Sequence, residues 1–83
     1  MLELYQKESC PYCTKVRRAM EELDLDYLCH TSVKGSPKRE LLTKLGGQEM
    51  VPFLVDTTDP ANLVMMYESD DIIAYLEKTY GKK

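Results

Sequence analysis

Leu2-Glu3-Leu4-Tyr5-Gln6, then Lys7-Glu8-Ser9, then Cys10-Pro11-Tyr12-Cys13 opening a run that carries Val16, Ala19, Met20 and Leu23: this stretch decides how the chain folds. Apolar and polar residues alternate over 2–6, which predicts a strand with Leu2 and Leu4 on one face. Pro11 suits the first turn of a helix, where its missing N–H is no loss. Val16, Met20 and Leu23 then recur at helical spacing beside Ala19, while Lys15, Arg18 and Glu22 fall on the other face, so 11–23 reads as an amphipathic helix. Residues 26–31 are rich in aromatic and small apolar types and read as a second strand. Two parallel strands joined by a helix make a βαβ unit, and the two cysteines sit at its first strand–helix junction.

Working toward the C-terminus, Ser36-Pro37 supplies a capping hydroxyl followed by proline at the first helical position. Leu41, Leu42 and Leu45 are expected to form the buried stripe of that helix, and Gly46-Gly47 to end it. Val51 to Asp56 reads as a strand and 62–67 as its hairpin partner, with polar residues and Pro60 between them. Ser69 is expected to cap a last helix, with Asp70 and Asp71 in the first turn where negative charge suits the dipole. Ile72, Ile73, Leu76 and Tyr80 form its inner face, and Gly81 with the two terminal lysines closes it. The predicted order is βαβ-α-ββα: an α/β chain with a four-stranded mixed sheet flanked by helices. With a Cys-x-x-Cys at the first junction, it resembles the thioredoxin-like plan.

The 83 residues suffice for a single domain spanning 1–83. Apolar residues at 43% and charged residues at 30% fit a soluble globular protein. The net charge of −3, with both signs mixed along the chain, argues against a nucleic-acid partner, which demands a basic patch. No apolar run is long enough for a membrane span. The opening Met1-Leu2-Glu3-Leu4-Tyr5 lacks the basic start of a signal peptide. A cytoplasmic location, where thiols stay reduced, is therefore expected.

Cys10 precedes the first helix, so its sulfur faces unpaired N–H groups and the positive end of the dipole. Such sites lower a cysteine pKa from about 8.5 to roughly 3.5–7.5, and Lys7 and Lys15 are placed to add positive potential. Cys13 lies one turn further in, more buried, with the higher pKa of a resolving thiol. Proline stiffens the turn between them. The competing reading is a metal site: zinc wants four ligands, and the other candidates, Cys29 and His30, are adjacent on a strand and point to opposite faces. No metal site is expected. Cys29 reads as a small buried hydrophobe, and His30 as a surface residue without a role.

Cys10-Pro11-Tyr12-Cys13 resembles the active-site motif of dithiol glutaredoxins. The resemblance spans nearly the whole chain: Lys7 before the first cysteine, Lys38-Arg39-Glu40 in the second helix, Val51-Pro52 before the third strand, and Ser69-Asp70-Asp71 at the last helix. It implies a glutathione-dependent thiol–disulfide oxidoreductase that reduces protein–glutathione mixed disulfides and small or protein disulfides. Cys10 is then the nucleophile and Cys13 the resolving thiol. It further implies a glutathione groove, with Tyr12 touching substrate and Val51 pairing its backbone with the cysteinyl part of glutathione. Pro52 is cis, Ser69 binds the γ-glutamyl carboxylate at a helix N-terminus, and Asp70 binds its ammonium. Lys7 and Arg39 hold the glycine carboxylate. The same residues have plainer readings: Ser69-Asp70-Asp71 as a helix cap, Lys7 and Arg39 as solvated charges, Val51-Pro52 as the start of an edge strand. Glutathione is the reductant, no cofactor is permanently bound, and the protein is expected to be a monomer.

The sequence departs from that family at two places. Met50 stands where many glutaredoxins have threonine before Val-Pro, and Met66-Tyr67-Glu68 replaces a glycine pair that lets backbone approach closely. Glu68-Ser69 instead resembles the glutathione-binding turn in the N-terminal domain of glutathione transferases, a family that carries a helical second domain; none is expected here. Two rival functions remain. One is an iron–sulfur carrier in which Cys10 and glutathione from two subunits hold a cluster, against which Pro11 argues. The other is a thioredoxin-like reductant that needs no glutathione.

Overall fold

The computed structural model describes residues 1–81; Lys82 and Lys83, expected to close the last helix, lie outside the described residues. The elements are β1 (Leu2–Gln6), α1 (Pro11–Glu22), β2 (Leu28–Thr31), α2 (Pro37–Gly46), β3 (Phe53–Asp56), β4 (Val64–Met66) and α3 (Ser69–Tyr80). The order is the one expected from the sequence, with β2, β3 and β4 each starting two residues later than expected and β4 ending one residue earlier. The sheet runs β2-β1-β3-β4. β1 pairs parallel with β2 and antiparallel with β3, and β3 pairs antiparallel with β4. This is the thioredoxin-like α/β fold.

Side-chain alternation divides the sheet into two faces. Leu2, Leu4 and Leu54 point to the side covered by α1 and α3, where they meet Val16, Met20, Ile72 and Leu76. Tyr5, Phe53 and Val55 point to the other side, against Leu42 of α2 and Tyr67. β3 is central and buried throughout, which is why Phe53-Leu54-Val55 is apolar without interruption.

α2 corrects part of the sequence reading. Ser36 caps it as expected, its side chain accepting the Arg39 N–H at 3.3 Å. Gly47 ends it in the left-handed region at φ 90°, where glycine carries no Cβ penalty. The expected stripe is only one leucine wide: Leu42 is fully buried, whereas Leu41 and Leu45 are 45% and 43% exposed. The position three before Leu42 is Arg39, which takes the inward place and is itself 8% exposed, its Nε donating to Ser32 O at 3.1 Å.

α3 also differs at its start. Ser69 is its first helical residue, buried, and the N-cap is Glu68, which makes no side-chain cap hydrogen bond and sits at φ 70°. The backbone turn that a glycine would make at no cost is here made by Glu68. At the other end of the sheet, Asp56 is buried and accepts Tyr75 Oη at 2.6 Å, Tyr80 Oη at 2.5 Å, and both Thr58 N (3.0 Å) and Thr58 Oγ1 (2.6 Å). That network ties β3 to the C-terminal half of α3.

The remaining cysteine and the histidine are placed otherwise than expected. Cys29 is exposed, because β2 is an edge strand with no helix over this position, and its sulfur accepts Gln6 Nε2 at 3.0 Å. His30 is half-buried: its Nε2 lies 2.9 Å from Glu3 Oε1 and its ring stacks on Tyr5 at 4.5 Å. Among the described residues no helix is long and apolar enough to cross a membrane.

Candidate active site

Cys10 is the N-cap of α1, in extended backbone conformation, with Pro11 at the first helical position. Its N–H donates to Lys7 O at 3.2 Å and its carbonyl accepts Thr14 N at 3.0 Å and Thr14 Oγ1 at 3.1 Å. The sulfur is left half-buried at the open end of the helix. Partial burial pushes its pKa up. The N–H groups of Cys13 and Tyr12, the Cys13 thiol and the charge of Lys7 outweigh that, and the net result is a thiol below its ordinary value. A helix N-terminus is an anion-favouring place for a thiol.

Cys13 is fully buried. Its burial, the hydrogen bond to Cys10 and the Cys10 charge push it up to about 11, against the opposing pull of the Lys7 N–H and the Arg17 guanidinium. The two thiols are thus in contact and pushed apart in acidity, one toward the thiolate and the other toward the thiol. Pairs separated in this way divide the acid and base roles of a reaction.

The loop after α2 forms a second wall. The Val51–Pro52 bond is cis, Pro52 is fully buried and Val51 is half-buried. Tyr67 fixes this loop from below. Its hydroxyl accepts Gln48 N–H at 3.0 Å and lies 2.6 Å from Gln48 O and 3.0 Å from Leu42 O, while its ring packs on Phe53 at 4.6 Å. Gly46 is needed here, since a Cβ at that position would collide with the Tyr67 hydroxyl. The glycine pair missing from the sequence is therefore replaced by an anchored tyrosine followed by a left-handed glutamate. A non-glycine residue held at positive φ is a mark of functional turns. Glu68 is a candidate site residue that the residue-by-residue reading left out, although the pair Glu68-Ser69 was its signal.

The other expected site residues fall as follows. Tyr12 is 60% exposed at the rim, with Lys15 Nζ 6.0 Å from its ring centroid. Lys15, expected to add positive potential at Cys10, has its ammonium paired with Asp70 Oδ1 at 2.7 Å, which joins α1 to the first turn of α3. Ser69 is buried at that turn. Arg39 lines a groove of about 360 Å³ with Gly35, Glu40, Thr43, Lys44 and Glu49, a lining that includes neither cysteine nor Lys7. The structure brings Lys7, Cys10 and Cys13 together, and Lys15 with Asp70.

A Cys-x-x-Cys pair at the first strand–helix junction, with Cys10 half-buried and Cys13 buried beside a cis-proline loop, defines the class: a thioredoxin-like domain. Over residues 4–83 the chain matches the family described as "Glutathione S-transferase, N-terminal domain", and it belongs to that family. No curated protein matches it. Among solved structures it is similar to glutathione S-transferase 1-6 from Anopheles dirus species B, with 28% identity and a TM-score of 0.83, covering 98% of this chain and 37% of that one. A delta-class glutathione transferase from Nilaparvata lugens is 26% identical, with a TM-score of 0.85 over 100% of this chain and 38% of that one. A glutathione transferase homologue from Drosophila mojavensis, with bound glutathione, is 26% identical, with a TM-score of 0.84 over 99% of this chain and 36% of that one. The chain thus spans well under half the length of these structures.

Proposed function

We propose that residues 1–83 form a single glutathione-binding domain acting as a thiol–disulfide oxidoreductase of the dithiol glutaredoxin type. The observation that carries this is the placement of the pair: Cys10 half-buried as the N-cap of α1, Cys13 buried in its first turn, beside the cis Val51–Pro52 bond. The Cys10 thiolate attacks the glutathionyl sulfur of a protein–glutathione mixed disulfide; the target thiol leaves as thiolate and takes a proton from water. A second glutathione thiolate then attacks the glutathionyl sulfur held on Cys10, releasing oxidised glutathione and regenerating the Cys10 thiolate. With a protein disulfide as substrate, Cys13 loses its proton and attacks the mixed disulfide on Cys10, leaving Cys10–Cys13 to be reduced by two glutathiones.

Family membership and the bound glutathione of the Drosophila mojavensis homologue support glutathione as the ligand. In this reading Val51 offers its backbone to the cysteinyl part. Ser69 and Glu68 take the γ-glutamyl end, with Asp70 for its ammonium, while Lys7 and Arg39 serve the glycine carboxylate and Tyr12 the rim. Substrates are glutathionylated or disulfide-bearing proteins in a reducing cytoplasm, and the domain works as a monomer without a resident cofactor.

The second reading, favoured by the family and by the Glu68-Ser69 turn, is conjugation of glutathione to an electrophile. Cys13 has no task in that reaction, whereas reduction of a protein disulfide uses it as the resolving thiol. The discriminating experiment supplies glutathione with either a small glutathione mixed disulfide or an electrophilic aryl halide. Turnover of the disulfide, lost with thioredoxin reductase as the electron source, supports the proposal; turnover of the halide alone overturns it.

A further inference from the structure

Arg17 has no part in the chemistry proposed above, yet its side chain, four residues beyond Cys13, is only 20% exposed and gathers the segment that precedes both thiols. Nη1 donates to Gln6 Oε1 and reaches Lys7 O at 3.5 Å. Nη2 donates to Thr14 Oγ1 at 3.1 Å and Glu8 O at 3.4 Å, with Glu8 Oε2 at 3.8 Å. Its first partner is itself fixed, since Gln6 is buried and its Nε2 donates to Cys29 Sγ at 3.0 Å. Besides Glu8, the groups facing the guanidinium are Cys13 and Tyr27, and Glu21 and Asp24 line the same groove.

The held segment matters because residue 7 meets both sulfurs. Its N–H is directed at the Cys13 sulfur, its ammonium favours the Cys10 thiolate, and its carbonyl accepts the Cys10 N–H at 3.2 Å. That carbonyl is one of the oxygens under the Arg17 fork. A loop is otherwise free to shift, and the interaction of the Lys7 charge with Cys10 falls off as the inverse of their separation.

We propose that Arg17 is the positioning residue of this site: its forked guanidinium clamps Lys7-Glu8 against α1 and, through residue 7, sets the reactivity of Cys10. The role rests on Cys10 being the nucleophile. It depends on geometry rather than on charge alone, because a planar fork can span two carbonyls and a hydroxyl whereas an ammonium is a single point.

The test is the pH dependence of Cys10 alkylation by iodoacetamide, followed by mass spectrometry of the Cys10 peptide so that Cys13 and Cys29 do not contribute. The wild type should show a midpoint below the ordinary thiol value of about 8.5. Lys7→Met should raise the midpoint, and Arg17→Met should raise it comparably, by about half a pH unit for a partly exposed charge. Arg17→Lys, a milder change for folding, should stay with Arg17→Met. The double variant should rise no further than Lys7→Met. An unchanged midpoint in Arg17→Met, full recovery in Arg17→Lys, or additive shifts in the double variant would each overturn the clamp. A wild-type midpoint at or above about 8.5 would instead remove the activated nucleophile, and with it the proposed function.

Discussion

Asp56→Asn is the substitution whose effect the structure sizes most directly. The carboxylate is 3% exposed and accepts from two tyrosine hydroxyls, one threonine hydroxyl and one backbone N–H. Burial pushes the group up, but the donors from Thr58, Tyr75 and Tyr80 prevail and bring it to about 2 from an ordinary 3.8. A carboxyl held lower in the folded than in the unfolded chain stabilises the fold above the unfolded value and ceases to do so as pH falls toward the folded one. The difference here is on the order of 2 kcal/mol at neutral pH. Asparagine keeps the shape and loses the charge, and one of its two acceptor atoms becomes a donor facing tyrosine hydroxyls. Urea denaturation should therefore show Asp56→Asn less stable by about 2 kcal/mol at pH 7, which for a domain of this size lowers Tm by roughly 10 °C. Repeated at descending pH, the gap should narrow from about pH 5 and fall to about 0.5 kcal/mol near pH 2. A gap of the same size at pH 7 and pH 2 would refute the reasoning, since the loss would then come from packing and not from the charge.

Cys10→Ser should abolish reduction of glutathione mixed disulfides, while Cys13→Ser should retain much of it and lose reduction of protein disulfides; steady-state assays on both substrates decide it, and equal loss in both variants on the mixed disulfide would contradict the assigned roles. Glu68→Gly should relieve a left-handed non-glycine residue and raise Tm, by about 1 kcal/mol of stability, while raising the KM for glutathione several-fold. A fall in Tm together with an unchanged KM would count against Glu68 as a ligand. Tyr67→Phe leaves Gln48 N–H without its partner and should cost about 1–3 kcal/mol, read in urea unfolding, with a weaker grip on glutathione because the Gln48–Val51 loop loses its anchor. Unchanged stability would show that the loop holds itself.

Much of this fold is legible in the sequence because local signals and burial agree. Leu2 and Leu4 alternate as β1 requires, Pro11 and Ser36-Pro37 mark helix starts, and Ile72 and Leu76 lie on the inner face of α3. The reading fails where tertiary contacts override a local rule. Three leucines in α2 read as a stripe, but the helix meets the sheet through Leu42 alone, and Arg39 takes the neighbouring inward place because Ser32 O is there to accept it. Ser69 reads as a cap, yet Tyr67 is pulled inward by Phe53 and Gln48, which forces the turn one residue earlier onto Glu68. Cys29 reads as core by residue type, and only the sheet order reveals it on an edge. In the site, the acidity of the two thiols follows from the motif and its helix, whereas Arg17 and Glu68 matter through partners distant in sequence and through a backbone angle.

The two faces of the sheet are covered unequally. α1 and α3 pack together over Leu2, Leu4 and Leu54, while α2 covers the other face largely through Leu42, with Leu41 and Leu45 left outside. Amide hydrogens of β1, β3, α1 and α3 should therefore exchange with solvent only through global unfolding, and those of α2 and the 47–51 loop through smaller, more frequent openings. Cys10 stands on the slow-exchanging layer and the Val51 wall on the fast one. A bound tripeptide would bridge the two, and the protection it confers on α2 amides would report its occupancy without any measurement of turnover.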